Sequence, residues 1–384
     1  MPASFAHFDL KLVSPSFDSN LTDILIELNH LRKMTLSGTT APWTFFQLKE
    51  IFHLLESVGS ARIEGNRTTV SEYIEQKIER KERSSSRFSE IANGERAMRY
   101  IEENIEEGSK ITNHFIRELH SLAVDGLDPN EEGDKTPGAF RTWNVTISRS
   151  SHLPPEHYLV QGYMDELIEF INKADAEKYM LVKTAISHHR FTWIHPFGNG
   201  NGRVVRLLTY ALLIKYGFNV KKGKLLNPTA VFCNDRDVYY EMLSNADSGD
   251  DSDILCWCEY VLKGILEEVS KVNLLTDHTY LSKHVLMPTI NFGKDRGYLT
   301  KLEAEVLKKG VELQRFKATD INDCISELTP RQKTHLIAKL KSNNFIQPLK
   351  ENGRTYYVNF MNNYLMRGIV RSLEKENFIP PIDK

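Results

Sequence analysis

Cysteine is scarce. Four residues in 384, at positions 233, 256, 258 and 324, form no Cys-x-x-Cys pair, which excludes a disulfide scaffold and offers no usable zinc half-site. The thiols therefore read as reduced, in a reducing compartment. Long apolar runs are missing as well. None approaches the ~20 residues that a membrane span needs, and the chain does not open with a basic segment followed by an apolar one. Together these absences point to the cytoplasm and to no membrane partner. Nor does one sign of charge dominate: 49 basic against 51 acidic residues give a net −2. A surface built throughout for nucleic acid is thereby excluded, although one basic module remains compatible with the total.

What is present is mostly helical periodicity. The chain exceeds the usual single-domain length, so two or three domains are expected. Leu21, Ile24, Leu25 and Leu28 share one face of a helix over 19–34, with Ser19 or Asn20 to cap it. A second helix is expected over 42–59, and the short stretch SARIEGN (60–66) follows, with Gly65 to stop it. Thr69 and Glu72 have capping-box spacing and open another helix. ERKERSSSR (79–87) reads as a solvated loop. Further helices are expected at 88–106, 112–124, 157–172, 177–191, 201–216, 234–247 and 253–271. FRTWNVTIS (140–148) has the alternation and β-branched content of a strand, which predicts a hairpin or flap ending at Pro154 and Pro155. From about 298, three short helices and a hairpin marked by Asn352-Gly353 give a winged-helix arrangement.

One stretch carries the chemistry. HPFGNGNGR, from His195 to Arg203, joins two helical segments, the second apolar nearly all round and therefore expected to be buried. Its glycines 198, 200 and 202 stand at a helix N-terminus, where free N–H groups and about half a positive charge favour anions. Arg203 lies in the first turn and Arg206 three residues on, on the same face. Two guanidinium groups beside a nest of amides suit a polyphosphate. Neither a Walker loop nor a dinucleotide fingerprint is present. His188, His189 and His195 match no trusted zinc spacing.

This pattern resembles the Fic-domain family, whose signature is His-x-Phe-x-acid-Gly-Asn-Gly-Arg-x-x-Arg. His195, Phe197, Gly200, Asn201, Gly202, Arg203 and Arg206 match it, and Asn199 departs from it. The resemblance covers roughly 88–272, including GAFRTWNVTI at 138–147. It implies a mainly α fold: a Fic-type helical core with a short β-hairpin flap, plus the C-terminal winged-helix domain. The implied organisation is an N-terminal region at 1–87, a catalytic core at 88–272, a linker at 273–297 and the winged-helix domain at 298–384.

The activity implied is transfer of AMP from ATP to a Ser, Thr or Tyr hydroxyl of a protein target, with self-modification included. His195 is then the base; Gly200, Asn201, Gly202, Arg203 and Arg206 hold phosphate; Thr146 and Ile147 in the flap dock the target. Tyr239 and Tyr240 are available to stack on adenine. Mg²⁺, or Mn²⁺, is the implied metal, and Asn199 stands where the family has its metal-binding acid, which weakens that site. SARIEGN, with Ser60 and Glu64, is similar to the family's inhibitory helix, here at about 58–66. It implies that Glu64 occupies Arg206, and relatives also use such a glutamate to remove AMP. Homodimers are common in the family.

The alternative is a nucleotide-sensing regulator with lost catalysis, acting through the winged helix on DNA or protein. Between Ser326 and Arg354 six Lys/Arg face two Glu, and Arg331, Lys333 and His335 begin the would-be recognition helix.

Overall fold

The computed structural model describes residues 5–33, 38–79, 85–147, 150–218 and 229–378. Met34 and residues 80–84 of the expected loop lie outside them, as does Ser148 of the expected strand. In chain order the helices are α1 (Asn20–Lys33), α2 (Pro42–Ile63), α3 (Val70–Glu79), α4 (Ser86–Asn104), α5 (Asn113–Val124), α6 (Val160–Asn172), α7 (Met180–Ile194) and α8 (Asn201–Lys215). There follow α9 (Thr229–Asn234), α10 (Arg236–Ala246), α11 (Asp251–Leu274), α12 (His278–Leu281), α13 (Met287–Asp295), α14 (Lys301–Leu313), α15 (Pro330–Ser342) and α16 (Asn363–Lys375). None of the described helices is long and apolar enough to cross a membrane.

The chain divides into two compact units. The first comprises residues 1–35, 56–68 and 83–269; the second takes 36–55, 69–82 and 270–384. In the first, α7 and α8 pack together, with α4 and α5 against α8 and α6 against α7. Every residue of α8 is buried except Gly202, as its all-round apolar sequence requires. Gly217, at φ +104°, ends that helix, with the Phe218 N–H returning to the Leu213 carbonyl. Thr112 caps α5 and Asp235 caps α10 through their side chains.

The second unit contains a three-stranded antiparallel sheet, order β1-β3-β2, of β1 (Phe316–Lys317), β2 (Ile346–Pro348) and β3 (Thr355–Val358). The hairpin turns at Asn352, φ +59°, as its sequence foretold. Capping boxes start α14 at Thr300 and α15 at Thr329. The first half of α2 packs into this unit, where the Gln47 side chain accepts from Phe360 N–H at 2.6 Å and donates to the Val358 carbonyl.

Three expectations are corrected here. SARIEGN is no separate helix: α2 runs on to Ile63, and only Gly65, at φ +108°, turns the chain away. The stretch 273–297, expected as linker, is helical, with a π turn at Ser282–Leu286 between α12 and α13. The flap has no strand among its described residues. A lone hairpin is marginal in water, Pro154 and Pro155 cannot donate to a ladder, and Arg141 takes hold of the backbone instead.

Candidate functional site

His195 and Gly200 bracket the loop between α7 and α8, and both are left-handed, at φ 51° and 75°. Glycine adopts that conformation freely, whereas a histidine does so at a cost. The strain is held in place by specific bonds. Asn201 accepts from Phe197 N–H and donates to the Phe197 carbonyl, both at 2.9 Å, closing the loop on itself. Both ends of its amide are engaged by the loop backbone. Phe197 is fully buried and stacks on His120 with ring centroids 3.8 Å apart. His120 accepts from Gly138 N–H at Nδ1, so Nε2 carries the proton and donates to the Asn199 carbonyl.

The cleft above this loop has a volume of about 460 Å³. His195, the Gly198–Gly202 turn, Arg206, Glu64, Thr146, Ile147, Tyr239 and Tyr240 all line it, so the structure brings together most of the residues picked out in the sequence. Burial lowers the His195 pKa to about 4, which keeps the imidazole neutral at physiological pH. Nδ1 lies 3.4 Å from the Thr192 carbonyl, an orientation that leaves Nε2 as the basic nitrogen.

Arg206 is almost fully buried. Its Nε donates to Ser60 Oγ at 2.8 Å, and one terminal nitrogen to the Ser60 carbonyl at 3.0 Å and to Glu64 Oε1 at 2.7 Å. The pairing expected from SARIEGN is present. Burial alone would raise the Glu64 pKa, but the facing Arg206 guanidinium outweighs it and holds the carboxyl below its usual range. Glu64 also touches the helix start: a methyl group at Gly202 would collide with its Oε1. The carboxylate therefore sits where the α8 N-terminus would take an anion.

Arg203 is placed differently. It is buried and faces a water-sized void with Glu90, Ser57 and Ser60, while its terminal nitrogens contact Glu90, the Glu132 carbonyl and the Ala123 carbonyl. Tyr239 is core, its hydroxyl 2.9 Å from His188 Nε2, so Tyr240 presents the more accessible ring. His188 is buried and its pKa falls well below normal; its other nitrogen meets Thr209.

The residues do not fit a protein-held magnesium. Asn199 donates its amide to the carbonyls of Glu131 and Gly133, and its own oxygen accepts from Gly200 N–H at 2.7 Å. Asp134 is nearby but faces inward, accepting from Asn199 N–H and Thr136 N–H. Among the described residues no group of three His, Cys, Asp or Glu could hold a metal.

Sequence reasoning missed two residues. Arg141, 2% exposed, reaches the carbonyls of His195, Trp143, Pro155 and Ile194 and so pins the flap to the His195 loop. Nothing local marks it. Arg236 lines the cleft and lies over the Tyr240 ring, and its four-residue spacing from Tyr240 was a usable signal.

The model of the Fic/DOC family matches residues 110–213. A protein adenylyltransferase Fic of Nematostella vectensis is 30% identical over 196 residues, 50% of this chain and 42% of its own length. The protein of the same name from Drosophila grimshawi is 30% identical over 202 residues, 52% of this chain and 38% of its own. The match thus spans under half the length of these relatives. A crystal structure of a Fic family protein from Desulfovibrio desulfuricans G20 superposes with a TM-score of 0.56 at 18% identity, covering 92% of this chain and 98% of that one. This last likeness is one of fold.

Proposed function

The chain carries a Fic/DOC-family domain, and from that premise we propose that it transfers AMP from ATP to a hydroxyl of a protein and that Glu64 holds the reaction back. One observation carries the reading: a neutral imidazole, a glycine-rich helix start and a buried arginine converge on one cleft, and a carboxylate of the chain's own sits in the anion position. In the reaction, the hydroxyl oxygen of the target attacks the α-phosphorus of ATP while His195 takes its proton. The bond from the α-phosphorus to the bridging oxygen breaks, and pyrophosphate leaves with that electron pair. The amides of Gly200 to Gly202 and the guanidinium of Arg206 stabilise the phosphate charge. Thr146 and Ile147 lie at the cleft and receive the target segment; Tyr240 and Arg236 flank the nucleoside end. No step is assigned to a metal.

Glu64 restrains this by occupying both the arginine and the helix start. The test uses ATP labelled at the α-phosphate with wild type, Glu64→Gly and His195→Ala. Label on the protein itself or on a lysate target, raised by Glu64→Gly and lost in His195→Ala, supports transfer and restraint together. A folded Glu64→Gly protein that binds ATP and transfers nothing sinks the proposal.

A second reading rests on Asn199, whose amide is committed to carbonyls. Under it the cleft senses a nucleotide and the second unit, read as a winged helix, acts on DNA or protein. Arg331 and His335 are exposed on α15, but Lys339 is paired with Glu303 at 2.9 Å, so the basic face is small. The labelling experiment separates the two readings.

A further inference from the structure

The restraint on Arg206 has a counterpart on Arg203. Past Gly65 the chain turns and buries Asn66, 8% exposed. The Asn66 amide donates to Glu90 Oε2 at 2.7 Å and to the Arg87 carbonyl at 2.9 Å, and its oxygen accepts from Thr68 N–H. Glu90, on α4, is itself 3% exposed, and its other oxygen lies 3.4 Å from Arg203 Nη1. Neither that oxygen nor Arg203 Nε has a hydrogen-bond partner among the described residues. The Arg203 guanidinium is therefore held by charge and by two carbonyls, not by a closed bidentate bond.

The geometry points to Glu90 as a positioning residue of the same cleft: anchored by Asn66, it draws Arg203 back from the polyphosphate site as Glu64 draws Arg206. The segment from Ser60 to Asn66 then restrains both arginines, one directly and one through Glu90. Burial, together with the nearby Glu132 and Glu64 carboxylates, raises the Glu90 pKa despite Arg203, consistent with a pair that is loosely satisfied. Arg206, by contrast, has three donated bonds into Ser60 and Glu64. The loose pair is the one a polyanion can win first.

This inference rests on the transfer reading only in that the cleft takes a nucleoside polyphosphate, and its test is a binding experiment. Equilibrium affinity for ATP, AMP and adenosine is measured for wild type, Glu90→Gln, Arg203→Ala and the double variant, with thermal unfolding to verify folding. Glu90→Gln keeps the size and can still accept from Asn66, while removing the charge on Arg203. ATP should bind about threefold to tenfold more tightly, adenosine should be unaffected, and the gain should vanish when Arg203 is Ala. Should Glu90→Gln fail to fold, Glu132→Gln, which removes the half-exposed carboxylate 3.6 Å from Arg203 Nη2, gives a smaller gain of the same sign. Unchanged or weaker ATP binding in the folded variant overturns the inference, as does a gain that persists without Arg203. Tighter ATP binding with no label transferred by Glu64→Gly leaves this inference standing and removes the transfer reading; transfer without any Glu90 effect does the reverse.

Discussion

The loop from His195 to Arg206 and the segment from Phe140 to Ile147 face one cleft, yet they hold their shapes by different means. The loop has a closure of its own, to which the distant ties of Asn199 and Arg141 are added: Asn201 bonds Phe197 four residues back, Gly200 supplies its own left-handed turn, and α8 begins at the next residue. The segment has one internal bond, from Arg141 to the Trp143 carbonyl. Otherwise its shape comes from distant partners, with Arg141 N–H on the Pro196 carbonyl, the Arg141 side chain on the carbonyls of His195, Pro155 and Ile194, and Asn144 on His157. Local closure is written in spacing and can be read. Distant closure leaves only residue types, and these suggested a strand that does not form.

The sharpest way to break the comparison is Arg141→Met. If the segment depends on that guanidinium, the variant leaves four carbonyls without their buried donor and loses about 3 kcal/mol of stability. Transfer by Glu64→Gly should fall with it, because the His195 carbonyl is one of the four. Denaturant unfolding measures the first effect and the labelling assay the second. A variant as stable as wild type would mean that the segment is held by something else. Next in size is Asn199→Asp on the loop side. A carboxylate there would face the Glu131 and Gly133 carbonyls that the amide now satisfies, so stability should fall by about 1–3 kcal/mol. Placing the acid of the Fic signature there should therefore cost folding; a variant that folds as well as wild type and gains Mg²⁺-dependent transfer contradicts this structural role of Asn199. Asn144→Ala should cost less, about 1 kcal/mol, because only the exposed bonds of its oxygen to His157 N–H and Nδ1 are lost.

The same division accounts for what was legible elsewhere. The helices with clean periodicity, the Asn352 turn and the burial of α8 followed from local pattern. The four-residue spacing of Ser60 and Glu64 gave only their shared face; that this face meets Arg206 was implied by the resemblance to an inhibitory helix, not by spacing. The continuation of α2 through Ile63 was hidden, since a glycine that can end a helix does not say how far back the helix began. The two-residue β1 is too short to carry alternation. Helix α16 was not anticipated at all, although Leu365, Ile369 and Leu373 recur at four-residue spacing and are fully buried. The withdrawal of Arg203 was invisible for a different reason: Glu90, Glu132 and Asn66 lie far from it in sequence, and no spacing rule links them.

The smallest expected effect is on pH dependence, and it tests whether the loop's burial of His195 matters. An ordinary imidazole, titrating near 6.5, would lose about tenfold in rate between pH 7.5 and 5.5 as it protonates. Burial lowers the His195 pKa to about 4, with neighbouring Arg141 and His152 acting in the same direction and Thr192 and Glu64 opposing. A depressed pKa leaves the neutral base in place until pH falls to that value, so kcat/KM should change less than twofold from pH 7.5 to 5.5 and halve only near pH 4. The measurement is best made on Glu64→Gly, where transfer is fastest under the proposal. Removing that carboxylate removes an influence that raises the His195 pKa, so the acid limb cannot move upward on its account. An acid limb at 6 or above in this variant would mean that His195 is solvated during turnover, and that the closed loop opens when the cleft is at work.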